Sequence, residues 1–315
     1  MRGGWDVHTH LLPADIADKA ASGAFGMKAG DGFVQVHGFK LQLAAIGNPA
    51  NLVRRIEKDG LDGAIAAAPP PLFRADLHVS ERKAYVEWLN QGILAATARD
   101  RRLRAMAYLP TDLPELAIEI ATSLGGEWAG VIVGTDLGAH SYADEVYHPL
   151  WARLSERQLP VLIHPSESKD PRLTPFYLSN LLGNPMETTL AAAQMIFGDI
   201  PAQFPDLKVI LSHGGGALAQ LLGRWQRGLD SDRPGIRPLK TGPVQAARWF
   251  HVDTIVYSRD VLELLVKTVG EDKLLLGSDW PFPMGTASAD DDLQYLPSDT
   301  QEKVRTDNAT RVFGL

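Results

Sequence analysis

Trp5-Asp6-Val7-His8-Thr9-His10 opens the readable pattern of this chain. The run is short and β-rich, and its two histidines stand two residues apart. On a strand that spacing turns both imidazoles to one side. Outward from it, β-rich runs alternate with helical patterns. Strands are expected at 63–68, 104–109, 130–133, 161–164, 208–212, 250–254 and 273–277. Helices are expected at 49–59, 80–96, 111–124, 144–157, 185–197, 217–229 and 258–269. Thr111 is placed as the cap of its helix, with Glu115 in the first turns, and Pro185 suits a helix start. Residues 21–38 read as a glycine-rich loop. Eight strands alternating with helices imply an α/β fold with a parallel sheet closed into a (β/α)8 TIM-type barrel. This is a single domain over 1–315 with a small insertion after the first strand. An open doubly wound sheet is the other arrangement the pattern admits.

The bulk composition fits that fold. The 315 residues are 45% hydrophobic and 22% charged, with a formal net charge of -7. Nucleic acids and anionic membranes call for a concentrated basic surface, which this balance disfavours. No apolar run approaches the ~20 residues that span a bilayer. No leader is visible before Trp5, and the default reading is a cytoplasmic enzyme. With no cysteine in the chain, disulfides and thiolate metal sites are excluded, and any metal must sit on His, Asp, Glu and water.

The position of the histidines points to chemistry. His8 and His10 end the first expected strand, His164 the fifth and His213 the sixth, while Asp279 ends the eighth. In a barrel these carboxyl ends converge on the mouth where active sites form. His8, His10, His164 and Asp279 would then make a nitrogen-and-oxygen site suited to zinc, with a position left for water whose pKa the metal can bring to ~7. Manganese or iron would also accept these ligands. Taken singly, each residue has a plainer reading as a core, loop or turn-capping group. His213, in Ser212-His213-Gly214-Gly215-Gly216, is either a further ligand or a base beside the bound water. Asp290-Asp291-Asp292 reads as a solvated acidic cluster, and Glu187 as a charge stabilising a helix N-terminus.

Several motifs resemble the amidohydrolase superfamily, in the branch of 2-amino-3-carboxymuconate-6-semialdehyde decarboxylase. They are the His-Thr-His-Leu-Leu-Pro start, Ile163-His164-Pro165, Ser212 to Ala217, and Gly277-Ser278-Asp279-Trp280-Pro281-Phe282-Pro283-Met284-Gly285. Gly183-Asn184-Pro185-Met186-Glu187-Thr188-Thr189 and Leu221-Leu222-Gly223-Arg224 add to them. The likeness covers the first ten residues and runs from about Pro49 to the C-terminus; it is poor between Leu11 and Phe39. It implies zinc held by His8, His10, His164 and Asp279, and His213 as the acid/base that activates metal-bound water. It also implies two arginines on the substrate carboxylates, one reaching over from a neighbouring subunit of a homodimer. That second arginine matches Arg224. The first falls on Lys40, which keeps the charge and loses the planar fork. An aromatic pocket residue of the family falls near Asn180.

Three functions follow as expectations. The first is non-oxidative decarboxylation of an unsaturated or aromatic carboxylic acid from ring-cleavage catabolism. The second is hydrolysis or hydration at the same metal, which Lys40 and Asn180 keep open. The third is a non-catalytic barrel, against which the intact ligand set argues.

Overall fold

A computed structural model describes residues 3–315. Strand β1 spans Trp5–His10. Three short strands follow, β2 (Lys28–Ala29), β3 (Phe33–Val36) and β4 (Phe39–Gln42), which pair antiparallel in a sheet of their own. The remaining strands are β5 (Gly63–Ala67), β6 (Leu103–Leu109), β7 (Trp128–Val133), β8 (Val161–Ile163), β9 (Val209–Leu211), β10 (His251–Asp253) and β11 (Leu274–Leu275). With β1 they form an eight-stranded parallel sheet in which each strand pairs with the next.

Backbone bonds close the ring. Val7 N–H donates to Leu276 O, Asp279 N–H to His8 O and His10 N–H to Trp280 O, each at 2.9 Å. The last strand's continuation therefore returns to the first, and the (β/α)8 barrel expected from the alternation is the fold. Strands buried on both faces favour unbroken apolar runs over alternating ones. Gly63-Ala64-Ile65-Ala66-Ala67 has that character and is buried throughout.

The helix Pro49–Asp59 illustrates the outer layer. Asn48 caps it by accepting from Ala50 N–H at 3.0 Å, and Pro49 occupies its first turn. Gly60 ends it at φ 62, a left-handed conformation that glycine enters without a Cβ penalty. Leu52 and Ile56, four apart, face the barrel and are buried.

The structure corrects several expectations. Residues 21–38 are not simply a loop, because most of the β2–β3–β4 sheet lies within them. Thr111 caps nothing: its helix begins at Pro114, with Leu113 at the capping position. The helix expected over 144–157 starts as a tight turn at Glu145–Tyr147 and becomes α-helical at His148–Glu156. The acidic run 290–292 is not a free solvated cluster. Asp290 pairs with Arg305, Asp291 accepts from Ser288 N–H, and Asp292 is buried. Among the described residues no helix is long and apolar enough to cross a membrane.

Candidate metal centre

Residues far apart in sequence meet at the carboxyl ends of the strands. His8 and His10 lie on β1, His164 directly after β8, His213 just past β9, and Asp279 on the return from β11 to β1. One ligand-competent atom from each of His8, His10, His164 and Asp279 falls within 4.8 Å of the others, and all four residues are buried. The imidazole centroids stand 5.2 Å apart for His8–His10, 5.0 Å for His8–His164 and 5.3 Å for His10–His164. His213 joins them at 5.2 Å from His164 and 5.5 Å from His8.

The local backbone explains this convergence. The β1–β5 pairing slips by one residue between Asp6 and Thr9. Such a bulge re-aims side chains beside active sites. The Asp6 carboxylate stabilises it, accepting from His8 N–H at 3.2 Å, Ser278 N–H at 3.1 Å and the Ser278 hydroxyl at 2.5 Å. Burial pushes the Asp6 carboxyl up to about 6, against the lowering effect of the Ser278 bond.

The electrostatics suit a cation. Burial drives His164 well below the ordinary imidazole range, helped by the neighbouring His8, His213 and His10. Burial also lowers His10, although the Asp279 bond opposes it. Burial alone would raise Asp279, yet bonding to histidine, led by His10 Nε2 at 3.1 Å, holds it well below the usual carboxylate range. For His8, burial acts downward, but the Asp253 bond and nearby carboxylates carry its pKa upward. His10 and His164 thus stand toward their neutral form beside an ionised Asp279 carboxylate, while His8 is held by Asp253.

The unmet bonding capacity tests the fit. Inside the cluster, His8 Nε2 and His164 Nε2 are buried with no hydrogen-bond partner, and His10 Nε2 meets Asp279 Oδ1 alone. Leaving such atoms unpaired costs about 1–3 kcal/mol each. A divalent cation is the partner that this donor set accepts.

A cavity of about 260 Å³ opens above the cluster, walled by Lys40, Tyr177, Asn180, Asn184, Phe282 and Met284, with His164, His213 and Asp279 at its base. A second, of about 320 Å³, shares Asn180, Asn184, His213 and Asp279 and adds Gln220 and Tyr257. Lys40 sits on β4 with its ammonium 4.8 Å from the centre of the Phe33 ring, a cation–π contact. Among the described residues it has no carboxylate partner. The structure therefore brings Lys40 and Asn180 to the same cavity as the cluster. It does not bring Arg224 there. That residue is exposed on the helix Leu218–Asp230, away from both cavity walls.

One residue that the sequence reading missed stands at the centre. Asp253 ends β10 with its side chain wholly buried, and its Oδ2 lies 2.7 Å from His8 Nδ1. The rule that selects Asp279, an acid at the carboxyl end of a barrel strand, also selects Asp253. The run His251-Val252-Asp253-Thr254 carried the signal.

The family profile described as amidohydrolase matches residues 5–315. 2-Amino-3-carboxymuconate-6-semialdehyde decarboxylase of Dictyostelium discoideum is 26% identical over 98% of this chain and 91% of its own length. 6-Methylsalicylic acid decarboxylase of Penicillium expansum is 32% identical over 78% of this chain and 79% of its own. 2-Keto-4-carboxy-3-hexenedioate hydratase of a Sphingobium strain is 30% identical over 43% of this chain and 37% of its own. Among solved structures, 5-carboxyvanillate decarboxylase from Sphingomonas paucimobilis superposes with a TM-score of 0.84 at 17% identity, covering 100% of both chains. A dihydroxybenzoic acid decarboxylase from Polaromonas, with bound manganese, does so at 0.79 and 18%, covering 100% of this chain and 98% of its own. With a histidine-and-carboxylate cluster at the mouth of a closed barrel and a match spanning nearly the whole chain, this protein belongs to the amidohydrolase family, in the branch that resembles 2-amino-3-carboxymuconate-6-semialdehyde decarboxylase.

Proposed function

We propose that this chain acts, as one barrel unit over its whole length, as a metal-dependent decarboxylase of an unsaturated or aromatic carboxylic acid from ring-cleavage catabolism. The observation that carries the reading is the cluster of His8, His10, His164 and Asp279, with unmet nitrogen atoms, below a cavity walled by Lys40. The decarboxylase relatives support it.

His8, His10, His164 and Asp279 would hold one divalent cation, zinc on this reading, with manganese or iron as chemically suitable substitutes. When bound, that cation supplies a Lewis acid for charge developing on the substrate. The chain's own residues do the rest. Lys40 holds a substrate carboxylate as a point charge. Asn180 offers a neutral amide where an aromatic wall is otherwise expected, and so favours a substrate with a polar substituent there. His213 is the acid/base, with Nε2 3.9 Å from Asp279 Oδ2 and its ring open to the cavity. As CO2 leaves, the carbon that bore it needs a proton, and His213 is placed to deliver one.

A homodimer completes the reading. Phe176, Tyr177, Leu181, Leu182, Met186 and Leu190 are exposed along one segment. The last three of them recur every four residues and so form one helix stripe. The helix bearing Arg224 packs beside it, with Phe197 and Trp225 rings 6.1 Å apart. A second copy seated there would cover the stripe and receive Arg224 at its own cavity.

Hydration or hydrolysis at the same centre is the second reading, favoured by the hydratase relative and by Asn180. Mass analysis of products from metal-loaded protein and a panel of unsaturated and aromatic acids decides between them. Loss of CO2 is expected; gain of water, or cleavage with water added, would transfer the assignment to the second reading.

A further inference from the structure

Asp253 accepts four hydrogen bonds, two on each oxygen. His8 Nδ1 at 2.7 Å and His213 N–H at 3.0 Å share Oδ2; Gly214 N–H at 2.8 Å and Ile255 N–H at 3.2 Å share Oδ1. A single atom, Oδ2, thus fixes both the ring of His8 and the backbone of His213. Because the carboxylate accepts, the His8 proton sits on Nδ1 and the lone pair on Nε2, the atom left without a partner inside the cluster.

The surroundings are shaped to permit this approach. A Cβ at Gly277 would lie 2.9 Å from the Asp253 Cβ and 3.1 Å from the His8 Cβ, so glycine lets the return strand pass beside the pair. Gly214, at φ +61, turns the chain so that its N–H meets Oδ1, and a Cβ there would stand 2.3 Å from Val256. From the far side, Thr189 Oγ1 accepts from Ala217 N–H at 2.8 Å and anchors the other end of the triglycine turn.

We infer that Asp253 is a positioning residue that couples the two halves of the centre, aiming the His8 lone pair at the cation and setting His213 at a fixed height beside it. The inference rests on the metal reading above. An asparagine cannot replace the carboxylate. Its amide group would set N–H against N–H at His8 and His213, or at Gly214 and Ile255.

The test uses zinc-loaded full-length protein. Zinc affinity is measured by chelator competition, alongside amide hydrogen exchange at His213 and Gly214. Asp253→Asn is expected to weaken zinc binding about 10–100-fold and to speed exchange at both amides. Gly277→Ala keeps the carboxylate but pushes it from His8; it should weaken zinc binding while the amides stay protected, and it serves if Asp253→Asn does not fold. A purely structural role would lower the melting temperature and leave the folded protein's zinc affinity within about twofold, and that result overturns the inference. A wild-type chain that binds neither zinc nor manganese overturns the metal reading itself. The two failures are separated before any variant is made.

Discussion

His213 and Asp279 both hold left-handed backbone, at φ 53 and φ 56. For residues with a Cβ such conformations cost about 1–3 kcal/mol and gather where function over-determines the chain. In His213 the strain directs the ring into the cavity; in Asp279 it turns the carboxylate back toward His10. Their neighbours divide into separable roles. His164→Ala should abolish stoichiometric metal binding, measured by elemental analysis. His213→Ala should keep the metal and lose about 10²–10⁴-fold in turnover, measured by CO2 release. Loss of metal from both variants alike would make His213 a ligand instead of an acid/base.

At the scale of elements, ion pairs and buried polar groups tie the helices to the barrel. The helix Val79–Thr97 presents Arg82, 1% exposed, to Asp112 in the loop after β6, with two parallel bonds of 2.7 Å. Removing one partner leaves a buried charge uncompensated. Asp112→Ala should therefore cost about 3–5 kcal/mol in urea unfolding, and the double change Arg82→Met with Asp112→Leu should recover most of it. His251, at the start of β10, behaves oppositely to a salt-bridged histidine. Burial, with the charges of Lys273 and Arg311, pushes it down to about 3 from an ordinary 6.5. Between those values the unfolded chain binds the proton that the native chain refuses. Its contribution thus makes stability fall as pH drops through that window, by at most about 1.4 kcal/mol per pH unit. His251→Gln should flatten the stability profile between pH 6 and 4. An unchanged slope relative to wild type would show that another group controls it.

For the whole molecule, closure of the barrel and cover for its apolar flank are the two demands. Arg305, near the C-terminus, meets the first from below: its Nε donates to Gly3 O and its Nη2 to Asp59 O, both at 2.6 Å. The chain's end is thereby fastened beneath its first strand. The second demand falls on Leu182, Met186 and Leu190. If a second copy covers that stripe, Met186→Glu combined with Leu190→Glu should convert dimer to monomer at micromolar concentration in sedimentation velocity, with the fold retained by circular dichroism. A wild-type protein that sediments as a monomer would remove the shared-site reading of Arg224.

The strand–helix alternation and the rim positions of His8, His10, His164, His213 and Asp279 were legible in the amino-acid order, because side-chain period and strand ends are local properties. The helix Pro49–Asp59 was legible to the residue, since Asn48, Pro49 and Gly60 mark its ends chemically. Other features depended on partners distant along the chain. The bulge at Asp6–Thr9 arises from pairing with β5 and from Ser278. The antiparallel sheet around Lys40 needs three weak strands to meet. Asp253 becomes central when the end of β10 reaches His8 across the return from β11 and meets the His213 turn. Pairing, burial and shared hydrogen bonds join residues hundreds of positions apart, so tertiary structure alone decided them.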